Sequence, residues 1–403
     1  MMNEQQLKML NEEVERTEGI LRLAPTWVPR AFMVPGRRLK LHPDDLYAFG
    51  KERGGINERW FASTTPADNG PDAEADEGLS YIAIPDGDNY QYALFKDAIA
   101  SLGEKWLGKE VMDKHGGWTV LTKFFDNKGP IPFHIHQREQ HAKDVNKKGK
   151  SEAYYFPPAY NQIEQTFPYT FFGLDPSTTK EDIKTCLQAW EKGDNQILAH
   201  SHAYRLEPGT GWDVPAGILH APGSLVTYEL QNNEDIFGMY QSVVEDRPVP
   251  RDLLVKDVPV DKAYDFDYLI DIIDWEANTN PSFKKDHFRP PVPVQSETEH
   301  SQASQGEEAW VVYGTSNYSA KQVTVYPQST YTLYENEAFG FISMQGRGFI
   351  GKQRVETPIM LRFGDMSADE GFVIKNRAKL GVELYNDSMV EPLVLLLHFG
   401  PDA

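Results

Sequence analysis

From about residue 80 onward the chain is written in short runs of β-branched and aromatic residues, broken by Gly, Pro, Asn and Asp. YIAI (81–84), WTVLTKFF (118–125), EAYYF (152–156) and SLVTYELQ (224–231) are examples. Strands at such short spacing predict an antiparallel sandwich or barrel. Leu7, Leu10, Val14 and Leu21 fall at helical spacing among charged residues, which predicts an amphipathic N-terminal helix packed on the body. One helix is expected among the strands. Thr178 with Glu181 reads as a capping box, and Ile183, Leu187 and Trp190 follow on one face. Residues 64–79, rich in Pro, Gly and acid, read as a solvated loop.

Residues 281–309 hold PPVP and the polar tract SETEHSQASQGEE, the natural place for a linker or crossing segment. A second strand-rich block follows, with turns at Gly346-Arg347-Gly348, Phe363-Gly364-Asp365 and Asn386-Asp387-Ser388. The two halves read as the same kind of barrel twice. A length of 403 residues is more than one small core needs and fits two. The expected organisation is an N-terminal helical segment (1–30), a first domain (31–280) with a helical insertion around 177–192, the linker (281–309) and a second barrel (310–403).

Composition narrows the partners. Forty Lys and Arg against sixty Asp and Glu leave a net charge of −20, which repels nucleic acid and anionic lipid. A small anionic substrate would need cations gathered locally at its site. The single cysteine, Cys186, excludes a disulfide framework and a multi-cysteine metal site. No run of about 18 apolar residues is present, and the start, MMNEQQLKMLNEEVERTEG, lacks the apolar core of a signal peptide. A cytoplasmic protein is expected; the oligomeric state is open.

The chemistry concentrates in the first half. His134 and His136 stand two apart in PIPFHIHQ, so on a strand both imidazoles project from one face. Glu152 heads the strand EAYYF. The run Gly209-x-Gly211-Trp212-x-x-Pro215-x-Gly217-x-x-His220 supplies a third histidine just after a Pro-x-Gly turn. Three imidazoles and one carboxylate provide the neutral donors and the anion that a divalent metal needs. Nitrogen donors favour zinc, iron, manganese or nickel over magnesium or calcium. A rival pair, His200 and His202, lacks a following Glu and His at matching spacing and reads as structural or pocket-lining. His141, in a polar loop with Lys143, Lys147 and Lys148, reads as solvated, and Trp212 reads as core.

His-x-His, a following Glu and Gly-x5-Pro-x-Gly-x2-His form a two-part signature that resembles the cupins. The longer context resembles type I mannose-6-phosphate isomerases over roughly residues 20–255. NERWFAS (57–63), the segment 118–142, GKSEAYYF (149–156) and VPAGILHAPGSLVTYELQNNED (214–235) carry the likeness. The resemblance implies two cupin-type jelly-roll β-barrels in a mainly β fold, with a small helical insertion and the N-terminal helix. It implies one divalent metal, zinc first, held by His134, His136, Glu152 and His220. It also implies pocket cations at Lys123 and Lys150 and a pocket carboxylate at Glu229.

Two positions depart from the family's pattern. Its first ligand is usually Gln, here His134, and its catalytic Arg falls at Met239, which can neither bind phosphate nor stabilise negative charge. Arg247 is the nearby candidate for the missing cation. The expected activity is isomerisation of an aldose to a ketose, on a sugar or sugar phosphate, with Glu229 as general base. A three-histidine, one-glutamate iron dioxygenase and a non-catalytic sugar-binding cupin are the alternatives. The second barrel carries no His-x-His, has Asn376-Arg377-Ala378-Lys379 where a last ligand would fall, and reads as degenerate and metal-free.

Overall fold

A computed structural model of the chain describes residues 2–295 and 301–403. The fold is mainly β, built from antiparallel sheets. In the first half, a seven-stranded sheet runs in the order Phe288–Arg289, Gly211–Val214, Glu152–Tyr155, Thr227–Asn232, Val120–Phe125, Ile56–Phe61, Thr26–Pro29. A five-stranded sheet faces it: His202–Arg205, Tyr169–Phe172, His220–Ala221, His134–Ile135, Gly238–Met239. Phe125, Tyr154, Trp212 and Val214 of the larger sheet pack against Phe172 and Leu225 between them.

In the second half, another seven-stranded sheet includes Phe339–Gln345, Leu393–Phe399, Ser319–Val325 and Gly306–Val312. It packs on a four-stranded sheet through Phe341, Leu395, Tyr331 and Leu384. Of the expected turns, Phe363-Gly364-Asp365 lies between elements, Gly346 separates two strands while Arg347 and Gly348 begin the second of them, and Asn386 ends a strand before Asp387 and Ser388.

The large sheets of the two halves also meet face to face, where Phe124, Tyr155 and Tyr228 join Ile342 and Leu396 in one core. Val120–Phe125 is therefore buried at every position and shows no polar-apolar alternation. Alternate residues still separate. Phe124 turns toward the second half, while Lys123 and Phe125 line the interior of the first. By the same parity Arg59 faces the second half, 2.8 Å from both oxygens of Asp369 and 3.1 Å from Glu370, whereas Glu58 faces inward.

Several local expectations are corrected. The N-terminal helix spans Glu4–Arg16 and buries Leu10 and Val14, but Leu21 is not on it. Leu21 lies in a strand, Ile20–Arg22, that pairs with Glu370–Val373 of the second half. The inserted helix is Lys180–Gln188, capped by Thr179 and Asp182, one residue beyond the expected box. Helices Phe95–Trp106 and Lys109–His115 were not expected, although Phe95, Ala98, Ile99 and Trp106 form a buried helical stripe.

Residues 64–79 are tied down: Asn69 donates to the Pro29 carbonyl at 3.0 Å, and Arg53 holds Glu77 at 2.7 Å. The expected linker is structured on both sides of residues 296–300, which lie outside the described residues. Phe288–Arg289 pairs with Gly211–Trp212 of the first half, and Val292–Pro293 pairs with Ala309–Trp310 of the second. Buried Phe283, just before, holds this crossing to the body.

Candidate metal centre

The facing sheets of the first half bring four side chains to one point. His134 sits opposite His220 in the five-stranded sheet, and His136 follows on the same face as His134. Glu152 reaches across from the larger sheet, where it pairs with Val214 and Gln231. Gly217 makes the turn before His220 with φ +88°, and a Cβ there would meet Arg138 at 3.0 Å, so the turn needs glycine.

The donor atoms of His134, His136, Glu152 and His220 all lie within 4.8 Å of one another, and all four residues are buried. His136 Nε2 is 2.9 Å from Glu152 Oε2, and His220 Nε2 is 2.9 Å from Glu152 Oε1. Among the described residues no other group of this kind occurs.

Each imidazole is oriented by a backbone carbonyl. Nδ1 of His134 lies 2.8 Å from Pro132 O, Nδ1 of His136 lies 2.6 Å from Ile236 O, and Nδ1 of His220 lies 2.9 Å from Ile218 O. A carbonyl oxygen only accepts, so Nδ1 carries the hydrogen and Nε2 keeps a lone pair toward the centre. Burial and the other imidazoles hold His134 well below the ordinary histidine range. Burial and Lys150 lower His136 to about 4. Burial alone would raise Glu152, but Lys150, His136 and His220 outweigh it and hold the carboxyl well below its usual range.

Both rings and the carboxylate are thus in the state a cation binds. His220 Nε2 and Glu152 Oε2 accept no hydrogen bond although both are buried. Unsatisfied buried acceptors gathered around one point fit a metal ion.

A small cavity of about 50 Å³ adjoins the cluster. Its polar wall is the inward face of the larger sheet, where Lys123 stands opposite Trp60 on one side and Glu229 on the other. Lys123 Nζ lies 3.4 Å from Glu229 Oε1 and 3.9 Å from Glu58 Oε2. Lys150 Nζ lies 3.7 Å from Glu229 Oε1 and 3.0 Å from Glu152 Oε2. Burial and the charge of Glu152 push Glu229 up to about 7, against the pull of Lys123 and Lys150. Tyr154 donates its hydroxyl to Glu152 Oε1.

The remaining sequence candidates fall elsewhere. Arg247 is not in the cavity; its guanidinium pairs with Glu245 at 3.3 Å and donates to the Phe32 carbonyl at 3.3 Å, behind the wall. Met239 is buried in the wall, opposite His134 across the strand pair. His202 is half exposed on an outer strand beside Asp175, away from the cluster. His141 is buried, not solvated, because Asp271 from a later helical turn meets its Nε2 at 3.0 Å. Trp212 is core, packed on Phe172 and Phe288.

Sequence reasoning missed Arg30, a buried cavity residue. It donates to Glu58 at 3.2 Å, to Asp235 at 3.2 Å and to Asn69 at 2.9 Å. No spacing links Arg30 to partners up to 205 positions away, so only folding reveals it.

No family model matches the chain, and no curated protein matches it in sequence. Solved structures do match in fold. The mannose 6-phosphate isomerase of Bacillus subtilis aligns over 94% of this chain and 99% of its own, with TM-score 0.60 and 15% identity. A variant of the phosphomannose isomerase of Salmonella typhimurium aligns over 95% and 100%, with TM-score 0.63 and 11% identity. A mannose 6-phosphate isomerase bound with zinc and yttrium gives 0.61 and 12% over the same shares. The chain therefore has, along nearly its whole length, the fold of the mannose-6-phosphate isomerases.

Proposed function

We propose that the protein is a metal-dependent aldose–ketose isomerase acting on a sugar or sugar phosphate. The observation that carries this reading is the pairing of a four-donor metal cluster with a buried carboxylate, Glu229, whose pKa of about 7 lies between two lysines at its edge. The two pairs of sheets are read as two cupin-type barrels, the first holding the metal and the second bracing it. A cytoplasmic setting belongs to the same reading. Among the described residues, no helix is long and apolar enough to cross a membrane.

His134, His136, Glu152 and His220 would hold the ion, with zinc the first choice for three imidazoles and a carboxylate. When bound there, a divalent ion supplies Lewis acidity toward the oxygens of neighbouring carbonyl and hydroxyl groups. Moving a hydrogen between adjacent carbons needs a base that both takes and returns a proton, and a carboxylate near pKa 7 is matched to that task. Glu229 fills this role. Lys123 and Lys150 place fixed positive charge beside it, where an enediolate develops negative charge on oxygen. Phe32, Met33 and Phe237 keep the site dry and strengthen those interactions.

The test is anaerobic incubation of the zinc-loaded protein with a panel of aldoses and their phosphates, monitored for ketose by NMR. Ketose formation, with solvent deuterium entering the adjacent carbon, is the expected result. In a parallel aerobic incubation of the iron-loaded protein, oxygen uptake with loss of the sugar would favour the dioxygenase reading. Binding without turnover would favour the sugar-binding one.

A further inference from the structure

We infer that the substrate is an unphosphorylated sugar; this deepens the isomerase reading and rests on it. Among the described residues, three cations line the cavity, Arg30, Lys123 and Lys150, and they face four carboxylates, Glu58, Glu152, Glu229 and Asp235. Each cation is already committed. Arg30 is buried with its guanidinium between Glu58 and Asp235, both at 3.2 Å. Lys123 is held between Glu229 and Glu58, and Lys150 lies 3.0 Å from Glu152 and 3.7 Å from Glu229.

A phosphate dianion entering this wall would have to take a cation from a buried carboxylate and leave that carboxylate unpaired. Breaking a buried pair in this way is strongly unfavourable. A divalent ion in the four-donor cluster leaves a surplus of one positive charge when every carboxylate is ionised. That surplus lies at the reacting end, on the metal side, and not at a separate anion subsite.

The opposite wall is apolar. Phe32, Met33, Ile131, Phe237 and Met239 form it, and none offers a donor to phosphate oxygens. Just outside, Lys147 is hydrogen-bonded to Asp257 at 2.6 Å, and Lys256 forms an ion pair with Asp68 at 3.0 Å without a hydrogen bond. By contrast, a wall of alternating carboxylates and ammonium groups opposite an apolar face suits a neutral polyol. Its hydroxyls can donate to Glu58 and Asp235 and accept from Arg30 and the lysines without separating any charge pair.

The experiment compares each aldose with its own phosphate ester on the zinc-loaded, full-length protein, using mannose and mannose 6-phosphate first and then the other hexoses and pentoses. Binding is measured by calorimetry and turnover by kcat/KM. The expected result is at least a tenfold preference for the free sugar in both readouts, with inorganic phosphate failing to compete. A preference for the ester, or competition by phosphate, would overturn the inference and leave the isomerase reading standing. Binding and turnover of neither form would remove the isomerase reading, and this inference with it. M239R supplies a second check, because it adds an uncommitted guanidinium to the apolar wall: the ester-to-sugar ratio of binding constants should rise about tenfold, and an unchanged ratio in the folded variant would contradict the proposed role of that wall.

Discussion

His220 Nε2 lies 2.9 Å from Glu152 Oε1 without forming a hydrogen bond to it. The imidazole gives its Nδ1 hydrogen to the Ile218 carbonyl, and its donor atom toward the cluster lies within 4.8 Å of those of His134 and His136. Close approach without hydrogen-bond alignment is the geometry of two ligands that share an ion. Lys150, with His136 and His220, keeps this deeply buried carboxylate ionised.

Tyr154 lies behind that carboxylate and donates to Oε1. Outer partners of this kind orient a ligand and typically carry a 10–100-fold share of metal affinity. Y154F removes one hydroxyl and keeps the ring that packs on Phe125 and Phe172. Zinc affinity measured by chelator competition should fall by about 10–100-fold, with the thermal stability of the metal-free protein little changed.

On the proposed isomerase reading, Glu229 as general base sets the acid side of the pH profile. Burial and Glu152 bring its pKa to about 7, so its basic form is gained as pH rises through that value. A bound divalent ion adds positive charge nearby and moves the limb down, so kcat/KM should rise with pH and level off at or below neutrality. E229Q should lower kcat by about 10²–10⁴ while the protein still binds one metal, and the acid limb should vanish from the residual activity.

The two halves are joined by a buried charge cluster. Arg59 holds Asp369 at 2.8 Å and Glu370 at 3.1 Å with its side chain only 2% exposed. R59M leaves the Asp369 carboxylate and the Glu370 carboxyl buried without their partner and should cost about 3–5 kcal/mol in chemical denaturation. Burial and the neighbouring Asp369 push Glu370 up to about 8, against the pull of Arg59. The folded state therefore holds a proton that the unfolded chain releases near pH 4.5. Stability from this group is complete below that value and is lost as pH rises toward 8. E370Q should flatten this part of the pH dependence when unfolding is compared at pH 5, 7 and 9, and an unchanged slope would contradict the assignment.

The site was legible where chemistry follows spacing. A two-residue repeat on a strand put His134 and His136 on one face, and the Pro215-x-Gly217 turn located His220. What the sequence hid depends on distant partners. Arg30 enters the cavity only because Glu58 and Asp235 are folded against it. His141 is buried because Asp271 arrives from a later helical turn. Leu21 continues a helical spacing, yet it leaves the helix to pair with Phe372, because the second half offers its strand an open edge. The helix at Phe95–Trp106 carried a readable apolar stripe that the surrounding strand-like runs masked. Arg247 was placed by proximity in sequence, and the fold turns it outward behind Phe32.

Metal content tests the central claim most directly. Elemental analysis of the purified, zinc-reconstituted protein beside E152A, both dialysed against a weak chelator, measures how many ions each chain retains. Close to one zinc per chain is expected in the unaltered protein and almost none in the folded E152A variant. One retained ion per chain in E152A, or none in the unaltered protein, would contradict a metal centre at His134, His136, Glu152 and His220.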